Sequence, residues 1–192
     1  MDKDKLKDVR YDLLKAFQKT VVETLEDLEV ANKQHRVHTV AWLTRNLLEL
    51  GIWIEYCATS SDHAKEFVLD SARDAHDAMD IPDGVLGTNH SLKEEREKLV
   101  KQTRDDGFET LDEKYKSVSS AAKELGKAEA FKHSNKLLSK FAHPTALHIV
   151  SSTGSSKPID YLIGQFYKLG TGLGQGELRY LDQAMKSLSQ SK

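Results

Sequence analysis

The chain has 192 residues, 39% of them hydrophobic and 30% charged, with a formal net charge of −2. That length supports one helical domain over residues 1–192 with a proper core. The near-neutral balance excludes a global attraction to nucleic acid, and no run of about 18 apolar residues is present to span a membrane. The only cysteine, Cys57, excludes an intrachain disulfide and a thiolate zinc cluster. Three prolines and no regular hairpin turn signals point to an all-α protein. The opening MDKDKLKDVRYD alternates charges and has no apolar signal region, so the expected location is the cytoplasm.

The first predicted helix covers 4–32, where Leu6, Val9, Leu13, Phe17, Val21, Leu25 and Leu28 recur at three-to-four spacing. The second, roughly 35–58, is apolar over most of its circumference and is expected to be the central helix. Ser60, Ser61 and Asp62 offer N-caps for a third helix over 62–79. Its acids at 62, 66, 70 and 74 predict a solvent face, with Phe67, Val68 and Ala75 inward. Residues 80–90, containing Pro82, Gly84 and Gly87, read as a loop. Ser91 and Glu94 form a capping-box signal for a charged helix over 91–104, which Asp105-Asp106-Gly107 interrupts.

Residues 108–116 fit a short turn or a disordered segment equally well. A short helix over 117–125 is expected to end at Gly126. The next helix, 128–143, stops where Pro144 disfavours helical geometry, which places His143 on its last residue. A helical turn over 145–151 and the linker 153–156 precede a final helix that opens near Pro158. That helix carries Ile159, Leu162, Ile163, Phe166 and Leu169, then Leu178, Leu181, Met185 and Leu188. Between these groups stand Gly170, Gly172, Gly174 and Gly176. Each costs up to about 1 kcal/mol inside a helix. They mark either the close approach of a neighbouring helix or a break.

Charge is unevenly distributed. Residues 62–80 hold six acids against Lys65 and Arg73, whereas 123–140 hold five lysines against Glu124 and Glu129. At about 100° per residue, Phe131, Asn135, Leu138 and Ala142 share one side of the 128–143 helix. Asn135, Ser139 and His143 form a polar line along that side, with Lys132, Lys136 and Lys140 in the line beside it. On the second helix His38, Trp42, Arg45, Glu49, Trp53 and Tyr56 project to one side, within about 80° of one another. A charge on so apolar a helix is expensive unless paired, so Arg45 is expected to pair with Glu49 one turn on.

Metal ligation is not expected. His35 and His38 are three apart and Glu129 and His133 four apart, but no Glu-x-x-His pair occurs, as a di-iron bundle would need. No cofactor motif is present either. The glycine segment follows no strand and lacks a Gly-Lys-Ser/Thr ending, and Ser139 lies on no Gly-x-Ser-x-Gly elbow.

The segment RNLLELGIWIEY (45–56), with AAKELG (121–126) and NKLLSKFAHPTAL (135–147), resembles uncharacterised bacterial helical proteins related to HEPN domains. The resemblance covers about 35–150. It implies an all-α, HEPN-like bundle of about five to seven helices, often a homodimer. Many members of that group are metal-independent RNases in toxin, antiphage and RNA-processing systems, so the resemblance makes RNA cleavage possible without implying it. The signature there is an Arg, usually followed by a polar residue, then four to six residues and a His. Here His143 matches, but Lys136 stands at the Arg position and Leu137 follows it. A lysine supplies charge without the planar two-pronged contact of arginine, and Arg45 would have to replace it in space.

Two readings result. In one, Arg45, Glu49, Asn135, Lys136, Ser139, Lys140 and His143 form a pocket that binds the phosphate of RNA or a nucleotide. Arg45, Lys136 and His143 would then carry any cleavage. In the other, the chain is a non-catalytic interaction module with a structural Arg-Glu-His cluster. The two differ in whether Arg45 and His143 meet in a solvent-open cleft or inside the core.

Overall fold

A computed structural model of the chain describes residues 3–78, 97, 98, 100, 101, 116–143 and 157–190. The expected loop over 80–90, most of the 91–104 helix, Pro144, the 145–151 turn and the 153–156 linker lie outside them. Among the described residues six helices form an all-α bundle, and no strand occurs. They are α1 (Lys3–Lys33), α2 (Val37–Thr59), α3 (Ser61–Ala78), α4 (Val118–Glu124), α5 (Ala128–Ala142) and α6 (Lys157–Gln190). Among the described residues no helix is long and apolar enough to cross a membrane.

α2 is the central element and packs against each of the other five helices. Val40, Ala41, Leu43, Leu47, Ile54 and Cys57 are buried on several of its sides. An apolar helix of this kind is stable only when neighbours cover it all round. α1 covers one side with Leu14, Phe17, Val21 and Leu28. The turn between them is Gln34–Arg36, with His35 left-handed at φ 53°. α2 therefore starts after His35 and not at it. Such a conformation costs a non-glycine residue roughly 1–2 kcal/mol. Hydrogen bonds from the His35 and Arg36 amides to Asn32 and Ala31 hold it.

α4 is delimited by local chemistry. Ser117 accepts a hydrogen bond from the Ser120 amide at its start. At its end Gly126 adopts φ 70°. The Gly126 amide donates to Lys123 and the Lys127 amide to Ala122, a Schellman closure. The chain then turns directly into α5, which lays Phe131, Leu138 and Phe141 against the core.

The glycines of α6 mark close packing, because the helix runs unbroken from Lys157 to Gln190. A Cβ on Gly170 would stand 2.7 Å from Leu28 and Thr44, and one on Gly174 would stand 2.7 Å from Leu25. These two positions let α1 and α2 approach the α6 backbone. The Thr44 hydroxyl, fully buried, donates to the Phe166 carbonyl at 3.0 Å across the contact. Gly172 is different: a Cβ there would meet nothing within 4 Å.

The expected acidic solvent face of α3 needs correction. Asp70 is buried and accepts from Arg73 Nη1 at 2.6 Å and from the Lys116 amide at 3.0 Å. Glu66 accepts from the Tyr56 hydroxyl at 2.6 Å. Only Asp62 and Asp74 of the four acids are exposed. Paired carboxylates can enter an interface that unpaired ones could not, so sign alone misplaced this face.

Candidate functional site

Arg45 projects from the middle of α2 toward the C-terminal half of α5 and meets three partners there. Its Nε donates to Oδ1 of Asn135 at 2.8 Å. Its Nη1 lies 3.1 Å from Nε2 of His143, and its Nη2 makes a 2.8 Å ion-pair contact with Oε1 of Glu49. Ser139 donates to the same Asn135 oxygen over a longer 3.5 Å. The helical line Asn135, Ser139, His143 thus faces the helical pair Arg45, Glu49.

The location is the rim of the bundle. The Arg45 and Glu49 side chains keep 24% and 27% of their exposure, and His143 is exposed. His143 is the residue after the last helical turn, with extended backbone and its amide bonded to the Ser139 carbonyl. Leaving the helix there swings the imidazole back over α2. Arginine has no acceptor atom. In this contact Nε2 therefore accepts from the guanidinium.

Of the predicted site residues, Arg45, Glu49, Asn135, Ser139 and His143 are brought together by direct contacts. Lys136 and Lys140 are exposed on α5 in the adjacent helical line. The rest of the predicted α2 face disperses. Trp42 stays exposed, whereas Tyr56 is buried at the other end of the helix. There Tyr56 stacks on His63 at 3.9 Å, and Lys116 bridges Glu66 and Glu124 at 3.7 and 2.5 Å. Burial and the Glu66 carboxylate raise the Tyr56 phenol to about 12, and the carboxylates raise the Lys116 ammonium further above its usual range. This cluster fastens α3 and α4 to α2. Among the described residues no three His, Cys, Asp or Glu side chains converge as metal ligands.

One polar residue escaped the sequence reading. Glu177 is buried at 8% exposure within the apolar stripe of α6. Its signal was positional: Ile163, Phe166, Gly170, Gly174, Glu177 and Leu181 recur at three-to-four spacing.

No protein-family model, curated protein or solved structure matches this chain.

Proposed function

We propose that the α2–α5 rim is an RNA-phosphate site in a cytoplasmic, HEPN-like protein, with His143 and Arg45 as its reactive pair. The observation that carries this reading is the 3.1 Å contact between the Arg45 guanidinium and Nε2 of the exposed His143. Glu49 and Asn135 brace the guanidinium from behind, the kind of support a positioned cation needs. Because Glu49 offsets the Arg45 charge, attraction of a polyanion falls to Lys136 and Lys140 on the exposed face of α5.

The chemistry follows from the two groups. On phosphate binding the Arg45 guanidinium would turn from His143 to the phosphate oxygens, and the freed Nε2 would take the proton of a ribose 2′-hydroxyl as that oxygen bonds to the adjacent phosphorus. The 5′-oxygen would leave with its bonding pair and take a proton from water, whose hydroxide recovers the proton held on His143, giving a cyclic phosphate and a 5′-hydroxyl end. Arg45 would stabilise the extra negative charge on the phosphorane. A homodimer would present two such rims to one RNA.

A second reading has its own observation. Each of the three Arg45 nitrogens is already engaged within the protein, which suits a pin that holds α5 on α2 in a non-catalytic interaction module. Labelled RNA incubated with the protein, a chelator and low salt separates the two. The first reading expects binding and chelator-resistant cleavage, with cleavage lost in His143→Ala. A folded wild type that neither binds nor cuts RNA overturns it in favour of the second.

A further inference from the structure

A cavity of about 680 Å³ lies between α2, α5 and α6, and neither Arg45 nor His143 lines it. This is within the size range of small-molecule sites, roughly 300–1,000 Å³. Leu48, Ile52, Phe131 and Leu173 give it apolar walls, and Gly172 leaves one edge without a side chain. Glu177 belongs to the same wall. Neither of its carboxyl oxygens has a hydrogen-bond partner. Oε1 sits against Gly51, where a Cβ would stand only 2.8 Å away. Gly51 therefore makes room for the carboxyl in the helix contact. The nearby cations are otherwise placed: Lys127 is ion-paired with Glu55, and Lys168 is exposed.

A buried carboxyl without a partner destabilises a fold unless a donor or a cation reaches it. We propose that the cavity binds a small organic cation, an ammonium group on an apolar body, with Glu177 as its counter-charge. The walls take up the apolar body, and Glu177 selects the head. Against the ionised carboxylate an anionic ligand would be repelled, and a neutral ligand of the same shape would leave that charge unmatched. Burial raises the Glu177 carboxyl to about 8, so ammonium binding near neutral pH would release a proton from it. None of this depends on the RNA reading, which uses other residues.

The test is a titration of the isotope-labelled full chain, followed by amide NMR, with phenethylammonium and hexylammonium as probes. The alcohol 2-phenylethanol and the anion phenylacetate serve as controls of similar shape. Saturable shifts around the cavity are expected, with an ammonium binding at least about tenfold tighter than the alcohol and the anion not binding. Glu177→Gln should bring the ammonium affinity down to that of the alcohol. Gly172→Phe, built from a position with open space, should block the cavity whether or not the first variant folds. The proposal is overturned if neither ammonium binds saturably, if ammonium and alcohol bind equally, or if ammonium binding survives either substitution in a folded variant.

Discussion

Nη1 of Arg45 meets Nε2 of His143 at 3.1 Å, tying the middle of α2 to the end of α5 across 98 residues of sequence. The contact depends on two local decisions: α5 ending at Ala142, and Glu49 standing one turn beyond Arg45 on α2. It is reached from opposite sides, by a side chain held in place and by a backbone that has just left its helix. The two residues consequently differ in what their removal should do.

Arg45→Ala is expected to destabilise the bundle by about 1–3 kcal/mol. A fully buried pair broken on one side costs about 3–5 kcal/mol and an exposed pair about 0–1; this pair keeps about a quarter of its exposure, between those limits. The loss includes the Asn135 contact, so Arg45→Lys should recover only part of it. Urea midpoints of the three proteins at neutral pH check this, and an unchanged midpoint in Arg45→Ala would dismiss the bracing role.

His143→Ala should leave stability within about 1 kcal/mol, because an exposed residue beyond the last helical turn buries little. Its effect should fall on RNA cleavage and not on RNA binding. Lys136→Ala and Lys140→Ala should do the reverse, each reducing the slope of log affinity against log salt by about one where that lysine meets a phosphate. Cleavage that persists in folded His143→Ala would assign the activity to another site.

The α6 glycines should separate by sign. Gly170→Ala forces a methyl to within 2.7 Å of Leu28 and Thr44, and overpacking of this kind costs about 1–3 kcal/mol. Gly172→Ala meets nothing within 4 Å and should stabilise the helix by about 0.5–1 kcal/mol. Thermal melts of the two variants test it, and equal shifts of the same sign would contradict the packing.

Much of the fold could be read from the sequence, because helix period and end chemistry are local properties. Gly126 closing α4 and the pairing of Arg45 with Glu49 both followed from spacing within a turn or two. The line of Asn135, Ser139 and His143 followed as well. Its partner helix came only from the resemblance and from α2's own polar face. What failed was long-range. Acids at 66 and 70 read as a solvated face because the groups that draw them inward, Tyr56 on α2 and the Lys116 amide, lie outside α3, although Arg73 beside Asp70 is a local partner. Tyr56 was grouped with Arg45 by angle alone, yet the two are about three turns apart along α2 and meet different helices. Gly170 and Gly174 could be recognised as needing a reason, but choosing packing over a break required knowing that Leu25, Leu28 and Thr44 arrive there.

Glu177 should give the stability of the protein an unusual dependence on pH. Burial raises its carboxyl from 4.5 to about 8, and no partner holds the charged form down. As pH rises, the unfolded chain ionises this group first, which favours unfolding. The contribution is therefore fully present below pH 4.5 and is lost as pH climbs through about 8. A tenfold change in proton affinity is worth about 1.4 kcal/mol, so the loss is on the order of 3–5 kcal/mol. Glu177→Gln cannot ionise and keeps a similar shape, so it should match the wild type near pH 4.5 and surpass it increasingly toward pH 9. Taking the difference between the two proteins cancels the titration of every other group they share. Urea denaturation at closely spaced pH values supplies that difference. A difference that stays flat from pH 4.5 to 9 would mean that Glu177 is solvated or paired in solution.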